Sequence, residues 1–339
     1  MTGFYKLTPE QQSECYRDLA ELVLPEWDLA DANLSMIKMR ENAVFKVDLS
    51  NGEKQILRIH RAGYHSNDAL RSELQWIQAL GNEGIETPEV IPTKSNELFI
   101  TPDSRLAGEP RQIDMFEWVD GNQLGSVEDG LKGDLITQQN NYRTIGILAA
   151  KVHNQASEWN VPADFERHAW DLEGLTGEQP FWGRFWELEA LSESQRSLMK
   201  QIRNRVRSDL SDFGQSSNNY SMIHADMVGE NVLVDGNHVR LIDFDDAGYG
   251  WHLFEIATSL YFSHNETYFD QLVGPYIEGY RSERELSDDD VGVLPLFMMA
   301  RATTYLGWVH TRKETETAQE LTPVLVKMAC SLAEEYLSS

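Results

Sequence analysis

The sequence is short of cysteine, of positive charge and of long apolar runs, and each shortage removes a class of protein. Cys15 and Cys330, the two cysteines among 339 residues, stand near opposite ends. No zinc knuckle or redox pair can be built from that spacing, and a reducing compartment suits such a chain. Lysine and arginine number 29 against 55 aspartate and glutamate, a net charge of -26. A field of that sign repels phosphate backbones and anionic lipid, so neither nucleic acid nor a membrane surface is an expected partner, while cations are drawn in. An acidic surface also serves solubility alone, so charge does not name a ligand. The longest nearly apolar stretch, Val291 to Ala300, holds a glycine and a proline and is about half a membrane span. The opening MTGFYKLTPEQQ lacks an apolar segment ahead of a small-residue cleavage site. A soluble, cytoplasmic chain is expected. Internal repeats and low-complexity tracts are missing too. With 41% hydrophobic and 25% charged residues the composition is that of a folded protein, and the length calls for two lobes.

Local patterns give the order of elements. Thr8-Pro9-Glu10-Gln11 reads as a capping box with proline at the first helical position, followed by Tyr16, Leu19, Leu22 and Val23 at helical spacing. Alternation takes over at Ala43, Phe45, Val47 and Leu49. Asn51-Gly52 then predicts a type I′ turn, with Gln55 to Arg61 as the returning strand. From Ser66 to about Glu83 the period is 3.6, with Leu70, Leu74, Ile77 and Leu80 as the buried stripe. Glu73 falls on that stripe, where a carboxylate must find a cation or raise its pKa. Extended segments follow, the last from Gln112 to Val119, and Asp120-Gly121 looks like a boundary. Beyond it the patterns are mostly helical, as at Tyr142, Ile145, Leu148 and Val152, or Leu198, Ile202, Val206, Leu210 and Phe213. One hairpin interrupts them: Val232 to Val234 and Val239 to Ile242 flank Asp235-Gly236-Asn237.

That hairpin is bracketed by polar residues. His224-Ala225-Asp226 and Gly229-Glu230-Asn231 precede it, and Ile242-Asp243-Phe244-Asp245 follows. Phosphoryl transfer uses an aspartate base five residues ahead of an asparagine metal ligand, with a second aspartate downstream on Mg²⁺. Asp226 and Asn231 keep that separation, and Asp243 stands after the strand pair. Asn231 and Asp243 offer the oxygen donors a hard cation prefers, and Asp226 offers a carboxylate to an acceptor hydroxyl.

On these residues the chain resembles the aminoglycoside phosphotransferase family of the protein-kinase-like fold, which includes homoserine kinase type II and choline kinase relatives. Ile223-His224-Ala225-Asp226 and Gly229-Glu230-Asn231-Val232-Leu233 resemble its I-H-G-D and x-x-N-x-L segments, and Leu241-Ile242-Asp243-Phe244 its x-I-D-F. The resemblance implies an α+β, bilobed fold, with a sheet-rich nucleotide lobe over residues 1–119 and a helical lobe over 120–339. It implies Asp226 as catalytic base, Asn231 and Asp243 as Mg²⁺ ligands, and ATP as phosphoryl donor. In the first lobe Arg58 stands where kinases carry a strand lysine, with Glu73 as its partner. No G-x-G-x-x-G loop occurs; Arg40-Glu41-Asn42 resembles the family's glycine-poor nucleotide loop. Met115 to Val119, with Glu117 and Val119, would face adenine by family position.

Plainer readings stand beside these. Asp226, Asn231 and Asp243 could be turn formers, and Arg58 with Glu73 a structural ion pair. His224 and His153 read as orienting residues rather than proton carriers, and Asp245 and Asp246 as solvated turn residues. Trp170, Trp182, Trp186, Trp251 and Trp308 read mainly as packing, and Arg301 to Arg312 as a stretch to inspect for acceptor contacts. The expected reaction is transfer of the γ-phosphoryl group to a small, amine-bearing alcohol such as homoserine, an amino sugar or choline. A protein Ser/Thr kinase and a non-catalytic nucleotide-binding regulator are the alternatives.

Overall fold

The structure, a computed structural model, describes residues 3–40, 42–103, 108–126 and 130–338. The chain divides into two compact units, Met1–Asp120 with Val161–Glu166, and Gly121–Asn160 with Arg167–Ser339.

In the first unit the capping box forms as expected. Thr8 Oγ1 accepts the Gln11 N–H at 3.3 Å while Gln11 Oε1 accepts the Thr8 N–H at 3.0 Å, opening helix α1 (Pro9–Val23). Five antiparallel strands, β1 (Asn33–Met39), β2 (Ala43–Asp48), β3 (Lys54–Ile59), β4 (Phe99–Ile100) and β5 (Ile113–Glu117), lie in the order β1-β2-β3-β5-β4. Period-two alternation sends Ala43, Phe45 and Val47 inward. They join Leu57, Ile59, Ile113 and Met115 and the Tyr16, Leu19 and Val23 face of α1 in one core. Helix α2 (Asn67–Asn82) starts at Ser66, whose Oγ accepts the Ala69 N–H at 3.0 Å, and it buries Leu70, Glu73, Leu74, Ile77 and Leu80.

The β2–β3 connection corrects one expectation. A type I′ turn needs positive φ at both central residues, yet of Asn51 and Gly52 only Gly52 has it, at 90°. The loop is wider: Gly52 N–H donates to Leu49 O at 3.0 Å and Leu49 N–H to Glu53 O at 2.9 Å. Asn51 stays out of the left-handed region because its Oδ1 instead accepts the Glu53 N–H at 3.0 Å.

The second unit is mainly helical, with α3 (Leu135–Glu158), α4 (Glu193–Phe213), α5 (His252–Leu260), α6 (Asp270–Arg281), α7 (Leu294–Thr311) and α8 (Glu316–Ser338). Helices α3 and α6 meet backbone to backbone. A Cβ on Gly146 would stand 2.2 Å from Tyr276 O, and one on Gly279 2.1 Å from Arg143 O, so only glycine fits. Every residue of α5 is buried, as are most residues of α7, which makes these two helices the centre of the unit. The apolar run ending at Ala300 supplies the first half of α7. Among the described residues no helix is long and apolar enough to cross a membrane.

Two small sheets frame the polar loops. Strands β6 (Asn122–Gln123), β9 (Val232–Asp235) and β10 (His238–Leu241) form one in the order β10-β9-β6. Strands β7 (Ala169–Trp170), β8 (Tyr220–Ile223) and β11 (Gly248–Trp251) form the other in the order β8-β11-β7. The expected hairpin is β9–β10, closed at Gly236 (φ 59°) and Asn237 between the paired Asp235 and His238. Positive φ at the first turn residue alone is the pattern of a type II′ turn, which demands glycine there.

Candidate active site

In the second unit β8 delivers the chain into His224-Ala225-Asp226, and a short 3₁₀ turn at Gly229–Asn231 feeds it into β9. The hairpin returns it through β10 to Ile242 and Asp243, and β11 pairs back onto β8, with Ile223 opposite Gly248. Both polar segments are therefore anchored at each end by strand pairing. Asn231 Nδ2 donates to Asp226 Oδ2 at 2.8 Å and to Asp226 O at 2.9 Å. Ile242 N–H donates to Asn231 O at 3.0 Å, so Asp243 follows directly on a residue tied to Asn231. Asn231 is buried, Asp226 half-buried and Asp243 exposed. With its nitrogen turned to Asp226, Asn231 has its amide oxygen to offer an ion, and Asp243 has a carboxylate. This is the hard oxygen set that suits a divalent cation such as Mg²⁺.

His224 explains how the two segments keep their register. Its Nε2–H donates to Ile242 O at 3.0 Å, and its Nδ1 accepts the Asp226 N–H at 3.2 Å. Burial pushes the imidazole down to about 3, so the ring is neutral and its tautomer is fixed by these two bonds. His153 does not share that role. It lies within α3, contacts the Tyr280 hydroxyl at 2.8 Å and stacks on His252 at 4.2 Å, as part of the core.

Ala225 and Asp243 both carry positive φ, 62° and 65°. An L-residue there costs about 1–2 kcal/mol, and at Ala225 the family segment has glycine. Glu255, on α5 and fully buried, offsets this strain. Its carboxylate accepts the N–H of His224 at 2.6 Å, Ala225 at 3.0 Å and Met227 at 3.4 Å. Burial pushes its carboxyl up to about 7 against the pull of those three donors. Arg301 on α7 reaches the other side of Asp226, its Nη2 donating to Oδ1 at 3.2 Å. Arg167 grips the turn after Asp243 through Asp245 O and Ala247 O, both at 2.6 Å. Asp245 lies in that turn as expected but is buried at 5% exposure, which corrects its reading as a solvated residue.

A pH dependence follows from these buried groups. His224 and His252 are held down at about 3, and His153 well below its ordinary 6.5, all by burial first. Unfolded, the three histidines take protons below pH 6.5, whereas folded they do not. Glu255 acts in the opposite sense, binding its proton near 7 when folded and near 4.5 when unfolded. Between pH 6.5 and 4.5 the unfolded state therefore holds about two more protons. These four groups should make stability drop as the pH is lowered through that window, by about 2–3 kcal/mol per unit. Urea denaturation at pH 7.5, 6.0 and 5.0 checks this; a midpoint constant across the series contradicts it.

The first unit holds the other expected residues. Arg58 Nη2 donates to Glu73 Oε1 at 2.7 Å, the pair the sequence leads one to expect, with Glu73 completely buried. Asp114 on β5 is a second acid that the sequence reading missed. It accepts from Arg58 Nε at 3.1 Å and Nη2 at 2.7 Å, and its Oδ2 lies 2.9 Å from His60 Nε2. Burial pushes the Asp114 carboxyl up, and Arg58 and His60 together bring it below its ordinary value. Asn42, at the tip of the β1–β2 hairpin, accepts the Arg61 N–H on its Oδ1 at 3.0 Å; its neighbour Glu41 lies outside the described residues. Glu117 ends β5 with its N–H on Glu89 O at 2.8 Å, and Val119 follows, half-buried.

Four of the five tryptophans singled out, Trp170, Trp182, Trp186 and Trp251, are buried, in accord with a packing role; Trp308 is half-buried. Asp114 and Glu255 went unmarked in the sequence, and Arg301 was marked there only as the start of the stretch to inspect for acceptor contacts. Asp114, Glu255 and Arg301 are each a charge with apolar neighbours on both sides, whereas Glu73 was marked by falling on the 3.6-residue stripe of α2.

A family model described as the phosphotransferase enzyme family matches residues 38–288. The chain is 21% identical over 327 residues to an amicoumacin kinase of Bacillus subtilis (strain 168), covering 91% of each. Its structure is similar to that of a microcompartment-associated aminopropanol kinase, with a TM-score of 0.83 and 29% identity over 95% of this chain and 98% of that one. It is also similar to the amicoumacin kinase hAmiN in complex with AMP-PNP, Ca²⁺ and Ami, with a TM-score of 0.76 and 18% identity over 97% and 96% of the two chains. The α+β, protein-kinase-like class expected from the sequence is the class these likenesses show.

Proposed function

Since the chain belongs to the phosphotransferase enzyme family, the aminoglycoside phosphotransferase group of kinases, we propose that it moves the γ-phosphoryl group of ATP to a small, amine-bearing alcohol with Asp226 as base. Transfer from ATP to a hydroxyl is the family's chemistry; the acceptor class and the residue roles are our reading. The observation that carries it is the placement of Asp226. It is a half-buried carboxylate held at Oδ2 by Asn231 and at Oδ1 by Arg301, on a loop anchored by strands at both ends.

Asp226 would orient the acceptor hydroxyl and take its proton as the new O–P bond forms and the bond to the ADP leaving group breaks. Asn231 and Asp243 would hold Mg²⁺, which neutralises charge on the phosphates. Residues 1–119 would be the nucleotide lobe, and residues 120–339 would carry base, metal ligands and acceptor pocket. Arg58, seated on Glu73 and Asp114, would brace the phosphates. Asn42 would shape the nucleotide loop, and Glu117 and Val119 would present backbone groups to adenine, Glu117 through its carbonyl because its N–H is bonded.

Two observations favour an amine on the acceptor. The net charge of -26 draws cations, and the aminopropanol kinase it resembles bears an amine-bearing alcohol in its name. ATP consumption across amino alcohols, amino sugars, choline, homoserine and their amine-free analogues tests the assignment, with a radiolabelled protein-substrate arm beside it. The highest kcat/KM is expected on an amine-bearing alcohol. Equal turnover of the amine-free analogues, or label on protein alone, contradicts it.

A further inference from the structure

We infer that Arg301 is a positioning residue for the transfer. It locks the rotamer and charge of Asp226 from within the core and touches neither nucleotide nor acceptor. The inference rests on the reading of Asp226 as base. Arg301 sits in the middle of α7, is completely buried, and reaches Asp226 Oδ1 through Nη2 at 3.2 Å while the same nitrogen donates to Tyr305 Oη at 2.9 Å.

Its surroundings are aromatic. The guanidinium carbon lies 4.2 Å from the Tyr305 ring centroid, 4.8 Å from that of Trp182 and 5.5 Å from that of Phe254. Ring faces attract a cation without offering it a hydrogen bond. Among the described residues Nε and Nη1 find no acceptor at all. Two other arginines of this unit, buried Arg167 and half-buried Arg196, behave differently. Arg167 donates to the carbonyls of Ala247 and Asp245, and Arg196 to those of Trp186, Leu188 and Leu191. Those arginines are braces between backbone segments. Among the described residues Arg301 braces no backbone through its side chain, and its one anionic hydrogen-bond partner is the carboxylate that would take the proton.

Desolvating a guanidinium is expensive, and replacing a buried ion by an apolar side chain of similar size is often neutral or stabilising. A structural arginine gains little from a pocket that offers it ring faces in place of backbone carbonyls. A positioning one gains from the arrangement, because the rings fix the plane of the fork and the low-polarity surroundings strengthen its pull on Oδ1. Asn231 on Oδ2 and Arg301 on Oδ1 then hold the carboxylate plane from both sides, which is the condition for a proton acceptor to meet a hydroxyl in one orientation.

Arg301→Met separates the two roles, since methionine fills the aromatic pocket without charge. The expected result is a kcat lowered by about 10- to 100-fold, a KM for ATP within about twofold of wild type, and an unchanged or raised Tm. Arg301→Lys should recover part of the kcat. Wild-type kcat in Arg301→Met overturns the inference, and so does a loss of kcat in both variants that tracks a loss of Tm. Asp226→Asn, run alongside, keeps the two readings apart. If it retains turnover the base assignment fails; if it loses turnover while Arg301→Met does not, only the positioning role fails.

Discussion

Asp226→Asn should bind ATP as the wild type does and lose about 10²- to 10⁴-fold in turnover, the range for removal of a positioned base. The substitution conserves volume on a half-buried loop, so the fold has little reason to respond. Its chemistry changes in two ways. The amide cannot take the proton of the acceptor hydroxyl, and it presents an NH₂ toward one of the two donors that now hold the carboxylate, Asn231 Nδ2 or Arg301 Nη2. Initial rates at saturating acceptor give the loss, and nucleotide titration by calorimetry gives the affinity. Turnover within threefold of wild type would remove Asp226 from the mechanism.

Arg58→Ala should destabilise the first unit by about 3–5 kcal/mol, because it strands two acids at once. Glu73 and Asp114 are both fully buried, and the Arg58 guanidinium binds both. Arg58→Lys should fall between, since one ammonium cannot reproduce a fork that meets Asp114 through Nε and Nη2 and Glu73 through Nη2. Replacing all three charges together, as Arg58→Met with Glu73→Gln and Asp114→Asn, should recover much of the loss. Urea denaturation measures each. A single Arg58→Ala within 1 kcal/mol of wild type would show that the cluster is not bearing the charge balance described.

Much of this was legible in the sequence because the signals were local. The capping box at Thr8, the stripe of α2, the alternation of β2 and the Gly236 hairpin each depend on residues within a few positions of one another, and each formed. Asp226, Asn231 and Asp243 stood out because strand pairing brings together residues that the chain separates by only five and twelve positions. Asn51 misled for the same local reason: its side chain had a second option, a bond to the Glu53 N–H, that a dipeptide rule does not weigh. The roles of Glu255 and Arg301 were hidden because their partners, the N–H groups after Ile223 and the carboxylate of Asp226, lie about 30 and 75 residues away. Their one local mark is a charge inside an apolar helix. A search for charges flanked on both sides by apolar residues marks both, and Asp114 with them.

The identity of the ion's ligands bears most directly on the proposed chemistry. Crystals grown with AMP-PNP and Mn²⁺ in place of Mg²⁺ allow the ion to be located by its anomalous scattering. The expected map has a peak within coordination distance of the Asn231 amide oxygen and the Asp243 carboxylate, with Asp226 outside the coordination sphere and facing the acceptor side. A peak that touches neither Asn231 nor Asp243, or one ligated by Asp226 itself, would contradict the division of labour between base and metal ligands.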